Sequence, residues 1–380
     1  MIRTDDVVHL AEQATLGGLL LAPDHFVEVN RWLRGQDFAD PWHRKVWTTL
    51  REAHTAGAPI AAEPVAAAMT ERFGARLADI VRLHDLVRVV PKDPDPRPHA
   101  AVVVEFGARR DIATQGILLE AGAAIAARDH ASRHLDAMIQ IAGAAFTIAG
   151  ERWEDATGQH APTLTERMPA GLRAAAADEE LRRAADKHLT AAPELTSADA
   201  KANEARLIAA LASHPTAITP TSAWLAPEKV TNKPWRTVYY ALTEMADGGE
   251  HIDPVSLATH VMRVARRTGT APALIELLAT VSAEESSLPR HLSRAVAGDQ
   301  LRLTARVGAI TLRSSAADPR VDVRWLLAQG FAVLNTMHDL AVVLPETPGQ
   351  PGPTRPSGRT ALGAGPPEPT PDRGDGPARR

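Results

Sequence analysis

The chain has no cysteine, which excludes disulfide bridges, thiolate metal sites and thiol catalysis. It also has no apolar run of the roughly 18 residues that a membrane-spanning helix needs. The first stretch, MIRTDDVVHLAEQ, lacks the apolar segment of a signal peptide. These absences lead us to expect a cytoplasmic protein.

Excess positive charge is missing as well. The formal net charge is -4 at pH 7, which argues against a protein that coats nucleic acid without selectivity. The 380 residues are enough for two ordinary domains and a tail. With 44% apolar and 23% charged residues, the composition is typical of a soluble globular protein.

The motifs of common catalytic sites are absent from the sequence. A phosphate loop needs a glycine-rich turn ending in Gly-Lys, and no Gly-Lys dipeptide occurs. His130 and His134 are spaced i, i+4 on a predicted helix, but Ala131 stands where a zinc hydrolase has glutamate. The run at 178–180, Asp-Glu-Glu, is typical of a solvated helix face. We therefore expect no catalytic residue, no metal, no cofactor and no enzymatic activity.

One helical pattern occurs twice, as EQATLGGLLLAPDHFVEVNRWL at residues 12–33 and as EARLIAALASHPTAITPTSAWL from residue 204. A constant shift of 192 positions relates the two copies, and matched Trp, Pro and Gly at one offset exceed what two alanine-rich helices share by chance. The period is too long for a solenoid, so the sequence predicts a tandem pair of domains. The matched pairs include Glu12 with Glu204, Pro23 with Pro215, Trp32 with Trp224, Arg44 with Arg236, Trp47 with Tyr239 and Gly57 with Gly249.

Apolar residues at helical spacing run through both copies and predict an all-α fold. Its expected architecture is two helical-bundle heads, each followed by a helical hairpin. The four prolines of PKDPDPRP, residues 91–98, predict a rigid loop before the first hairpin. The predicted divisions are a first copy at 8–150, an alanine-rich charged linker at 151–199, a second copy at 200–342 and a disordered tail at 343–380, where Pro and Gly are frequent.

Residues 12–60 contain the stretches EQATLGGLLLAPDHFVEV, DFADPWHRKVW and LREAHTAGAPI. Through these stretches the first copy resembles the N-terminal domain of the DnaB-type replicative DNA helicases. That family shows an E-x-x-x-L-G-x-x-L start, an L-x-x-x-x-F segment, an H-R-x-[IV]-[FW] helix and a G-x-P-[IV] turn. The matching residues are Glu12, Leu16, Gly17, Leu20, Phe38, His43, Arg44, Val46, Trp47, Gly57, Pro59 and Ile60. The second copy is looser, since Trp235 replaces the family histidine and Ala209 and Ala210 replace the glycine pair; it keeps Glu204, Trp224, Arg236, Tyr239 and Gly249.

The resemblance implies a non-catalytic helical module. In the helicases this domain forms dimers and ring collars and receives the primase, whereas ATP hydrolysis belongs to a core that follows it. Our leading hypothesis is a bacterial protein that binds or regulates a replicative helicase or primase in DNA replication. Because the module acts by pairing, we expect the two copies to form an intramolecular pseudo-dimer, with a homo-oligomer as the alternative.

Two other interpretations stay open at the level of sequence. Arg263, Arg266 and Arg267 recur at helical spacing and are candidate phosphate contacts for a DNA-binding replication accessory. The acidic net charge and the 4% of aromatic residues weigh against a single-strand channel, which needs rings for base stacking. A scaffold derived from a helicase relative is the third possibility.

Overall fold

The computed structural model describes residues 3–90, 92, 94–162, 168–191, 194–283, 285 and 287–341. Every regular element within these ranges is a helix, as the periodicity predicts. None of the helices in these ranges is long and apolar enough to cross a membrane. The tail predicted at 343–380 lies outside the described residues.

The first copy forms a head of five helices and a long hairpin. The head consists of α1 Thr4–Leu21, α2 Phe26–Trp32, α3 Pro41–Thr55, α4 Ala62–Phe73 and α5 Ile80–Arg88, and the hairpin of α6 Arg97–Asp129 and α7 Arg133–Thr157. The linker then contributes α8 Ala170–Ala176 and α9 Glu179–Ala191. These two short helices pack on the hairpin, where Ala176 and Ala185 bury against Leu118 and Ile148.

The second copy repeats this order. Its head consists of α10 Ser197–Ser213, α11 Ile218–Ser222, α12 Lys233–Asp247, α13 Pro254–Thr268 and α14 Leu274–Val281, and its hairpin of α15 Pro289–Ala317 and α16 Val323–Ala341. Short 3-10 turns occupy matching places in the heads, at Pro23–His25 and Pro215–Ala217.

The same local signals begin and end the matched helices. Asp40 accepts a hydrogen bond from the N–H of Trp42 at the start of α3, and Asn232 caps α12 in the same way. Gly57 and Gly249 follow these helices with φ of 68° and 65°, a left-handed conformation that glycine adopts without steric cost. Both copies therefore have an Asx residue that caps the start of this helix and a glycine that adopts the left-handed conformation after its end.

Three expectations differ from the structure. Arg97 and Pro98 belong to the first turn of α6 and not to a loop, since a helix tolerates proline where the N–H has no partner. His130 ends α6 with φ 48° and so does not share a helix face with His134, which lies on α7. The helices also cross the predicted divisions, because α7 continues to Thr157 and α10 begins at Ser197.

The two copies share their cores. The apolar cluster of the first head includes Leu312, Leu326 and Phe331 from the second hairpin. The cluster of the second head includes Ala123 and Leu135 from the first hairpin. Because each cluster includes residues of the other copy's hairpin, neither copy buries its apolar core alone. Burying apolar surface stabilises the fold by about 25 cal/mol per Å².

Candidate functional site

A buried glutamate joins two segments of the first head. The carboxylate of Glu12, on α1, accepts hydrogen bonds from the backbone N–H groups of Ala39 at 2.5 Å and Asp40 at 3.3 Å. His43 on α3 places its Nδ1 2.7 Å from the same carboxylate. Glu12 is fully buried, so these partners replace the water that the charge would otherwise need.

The second head contains the same arrangement with one change. Glu204 accepts hydrogen bonds from the N–H groups of Thr231 at 2.6 Å and Asn232 at 3.0 Å, which are the positions equivalent to Ala39 and Asp40. The Thr231 hydroxyl donates a further bond of 2.6 Å. Trp235 fills the place of the histidine and is itself buried.

The remaining signature residues lie around these carboxylates. Arg44 donates to the Phe38 carbonyl at 3.0 Å, and Arg236 donates to the equivalent Val230 carbonyl at 2.8 Å. Gly17 packs against α5 so closely that a Cβ there would overlap the Leu86 carbonyl oxygen. Leu16, Phe38, Trp47 and Tyr239 are fully buried, whereas Trp224 is partly buried.

A second buried ion pair fastens the first hairpin to its head. Arg152 on α7 forms a salt bridge with Asp37 and donates from Nε to the Trp32 carbonyl at 2.7 Å. Burial raises the pKa of Asp37, while the Arg152 guanidinium acts in the opposite direction. Gly107 lets α6 approach this pair, because a Cβ there would lie 2.8 Å from the Asp37 Cβ. The second copy has Lys229 and Asp299 at the positions of Asp37 and Gly107, so this contact belongs to the first copy.

The two hairpins meet along α6 and α15, which run antiparallel. A Cβ at Gly116 would lie 3.0 Å from the Ala309 Cα, and a Cβ at Gly298 would lie 3.3 Å from the Ala127 Cα. These small residues therefore let the two backbones pack closely. On the adjoining helices, Phe146 of α7 and Phe331 of α16 meet edge to face, with ring centroids 5.7 Å apart.

Arg109 fastens one end of this seam. Its guanidinium donates to the carbonyls of Asp318 at 3.0 Å and Val321 at 2.5 Å, which lie in the turn between α15 and α16. Glu105 neutralises the charge at 2.8 Å from the same α6 helix. The hairpins consequently form a four-helix unit within one chain.

A cavity of about 690 Å³ opens where the first head meets the end of α15. Its wall combines Val8, His9 and Phe106 of the first copy with Arg313 and Ala316 of the second. The pairing of the two copies thus creates a recess that neither copy would form alone.

The arginines singled out as DNA contacts are exposed on α13 but face acidic neighbours. Arg267 forms a salt bridge with Glu244 of α12, and Arg263 contacts the His260 ring at 2.6 Å. His260 in turn lies 3.4 Å from Glu244 and 3.5 Å from Glu250. These carboxylates reduce the positive potential that a phosphate backbone would meet on this face.

The comparisons with known proteins match both copies to one family. The model of the DnaB-like helicase N terminal domain covers residues 7–105 and 198–292. The chain belongs to this family. Both matches end within the first helix of a hairpin, at residue 105 in α6 and at residue 292 in α15.

Similar proteins include two bacterial helicases. The replicative DNA helicase DnaB of Mycobacterium leprae (strain TN) is 33% identical over 107 residues, which are 28% of this chain and 18% of that protein. The replicative DNA helicase DnaB of Leifsonia xyli subsp. xyli (strain CTCB07) is 31% identical over 109 residues, which are 28% of this chain and 24% of that protein. The chain thus spans less than a quarter of either helicase's length, and no solved structure matches it.

Sequence reasoning on this DnaB-type domain pair missed the contacts that join distant segments. Arg152 and Asp37 are 115 positions apart, and the sequence around neither residue indicates that the two form an ion pair. It also missed that His9 comes beside Glu12 and His43. The available signal was the spacing of His9 and Glu12, which places both on one face of α1.

Proposed function

We propose that this chain is a non-catalytic interaction module that binds a replicative helicase or its primase as a ready-paired unit. It would regulate or recruit that partner during DNA replication. The observation that carries the proposal is the packing of α6 against α15, since two family domains are held as a pair within one polypeptide.

The domain family supports the choice of partner. The relatives are replicative helicases, and the matched domain is the one that the sequence resemblance associates with collar formation and primase docking. A protein carrying two such domains can present collar-like surfaces to either component. Because the pairing is intramolecular, the two domains do not dissociate from each other when the protein is diluted.

Each head also offers an exposed apolar pair for a partner. Ile80 and Val81 begin α5 with 36% and 62% of their surface exposed, and Leu274 and Ile275 begin α14 with 61% and 80% exposed. Both pairs occupy the first turn of the fifth helix of their head. Repeated exposed apolar residues at one place in a fold are typical of protein-interaction surfaces.

Co-elution of the purified chain with its host's replicative helicase and primase tests this function, with light scattering to give the stoichiometry. We expect a defined complex that the double variant Val81→Asp and Ile275→Asp weakens at least ten-fold. Val255→Asp is the matched control, because Val255 is a 73% exposed apolar residue that begins a different helix, α13.

The same purified chain also distinguishes our proposal from the DNA-binding alternative. If neither helicase nor primase co-elutes and the chain instead binds DNA with a steep dependence on salt, the accessory role based on Arg263, Arg266 and Arg267 replaces our proposal. If the chain binds none of the three, both proposals are wrong.

A further inference from the structure

Three side chains with metal-binding chemistry come together in the first head. His9 and Glu12 lie one turn apart on α1, and His43 lies in the first turn of α3. One donor atom from each residue lies within 4.8 Å of those of the other two. The His9 and His43 rings are 5.0 Å apart between centroids.

Glu12 orients the His43 ring. Its carboxylate is fixed by the N–H groups of Ala39 and Asp40, and it lies 2.7 Å from His43 Nδ1. Because this carboxylate already lies beside Nδ1, a metal ion bound by both residues would take the place of the proton between these two atoms. His9 is exposed, so its ring can turn toward the same point without disturbing the core.

The second head shows that the fold does not require the two imidazoles. Glu204 keeps the same two backbone hydrogen bonds, but Lys201 and Trp235 stand at the positions of His9 and His43. The carboxylate therefore has a structural role in both heads. The histidine pair is a separate feature of the first head.

We propose that His9, Glu12 and His43 form a binding site for a divalent ion of the Zn²⁺ type. Two imidazole nitrogens and one carboxylate oxygen are a ligand set that zinc prefers, and three protein ligands leave a coordination position open. His9 and Glu12 also line the 690 Å³ cavity, which provides a path for an ion to reach them. This inference does not depend on the function proposed above.

The charges around the cavity are compatible with a cation. Asp5 and Asp40 line it and supply negative charge. Three arginines also line it, and each has a partner. Arg109 is paired with Glu105, while Arg110 and Arg313 donate to the carbonyls of Asp37 and Ala309. An ion at the site would therefore experience both negative and positive charges, and the guanidinium groups among them already have partners.

Calorimetric titration of the full-length chain with ZnCl₂ in metal-free buffer tests the site. We expect one ion per chain and at least a ten-fold loss of affinity in His9→Ala. This substitution changes an exposed side chain and should not affect folding. His251→Ala is the matched control, because His251 is an exposed histidine in the second head and should leave the affinity unchanged.

Nuclear magnetic resonance of the imidazole rings gives a second readout that does not need a buried variant. Zn²⁺ should shift the ring signals of His9 and His43 before those of the other histidines. The inference is wrong if no ion binds, if His9→Ala binds Zn²⁺ as tightly as the unchanged chain, or if other rings respond first.

Discussion

At the scale of single residues, the two heads are built around one buried carboxylate each. Glu12 and Glu204 both join α-helical segments that are far apart in sequence by accepting two consecutive backbone N–H groups. Such charge-assisted bonds are stronger than neutral ones, and removing the acceptor leaves buried donors without a partner. This explains why the glutamate persists where the neighbouring histidine has become Trp235.

Replacing Glu204 with alanine should lower the free energy of unfolding by about 2–4 kcal/mol, because two backbone N–H groups and the Thr231 hydroxyl lose their acceptor. Glu71→Ala is the control, since Glu71 is exposed, and surface substitutions usually change stability by less than about 0.5 kcal/mol. Urea unfolding followed by circular dichroism measures both. Equal stability of the two variants would show that the buried carboxylate does not stabilise the head.

The sequence predicts residues of this kind well when their role is local or repeated. The offset of 192 alone identifies Glu204, Arg236 and Gly249 as the equivalents of Glu12, Arg44 and Gly57. The sequence does not predict the ion pair of Arg152 with Asp37, because that contact depends on how α7 packs across the head. The second copy offers no equivalent from which to infer it.

At the scale of elements, close helix approach depends on glycines in α6. Gly107 faces Asp37, and Gly116 faces Ala309 of the other hairpin. Helical periodicity predicts the long helices but does not tell which glycine sits at a contact and which is incidental. Gly171 in α8 is incidental in this sense, since a Cβ there would meet no atom within 4 Å.

Gly107→Ala and Gly171→Ala should therefore change stability in opposite directions. At Gly107 the added methyl meets Asp37, which Arg152 holds in place, so we expect a loss of about 1–3 kcal/mol. At Gly171 alanine should stabilise the helix by up to about 1 kcal/mol. Thermal unfolding of the two variants and the unchanged chain decides the matter, and a stabilising effect at both positions would contradict the packing described for α6.

At the scale of the whole molecule, ion pairs stabilise several of the segments that connect the helices. Hydrogen bonds from arginine lower the pKa of Asp95, Glu285 and Asp318 to about 2, in each case through the adjacent guanidinium of Arg97, Arg206 or Arg320. In the unfolded chain these carboxyls titrate near pH 4. A lowered folded-state pKa adds stability above pH 4 and loses it as the pH falls toward 2.

The melting temperature should consequently fall steadily between pH 4 and pH 2, and more weakly in high salt, because the pairs are exposed and screened. Differential scanning calorimetry at low and high ionic strength makes this comparison. A melting temperature that stays constant down to pH 2 would mean that these ion pairs do not affect folding.

The two domains pair within one chain along α6 and α15. Because the sequence has no cysteine, an engineered disulfide can test this pairing directly. The Cβ atoms of residues 116 and 309 would lie 3.3 Å apart, close to the about 3.5–4.5 Å of a disulfide. The measurement is oxidation of the double variant Gly116→Cys and Ala309→Cys, followed by non-reducing electrophoresis and mass determination. Gly171→Cys with Ala309→Cys is the control. We expect a cross-linked monomer for the first variant and none for the control. No cross-link, or cross-linked dimers alone, would show that the two domains do not pair within one chain.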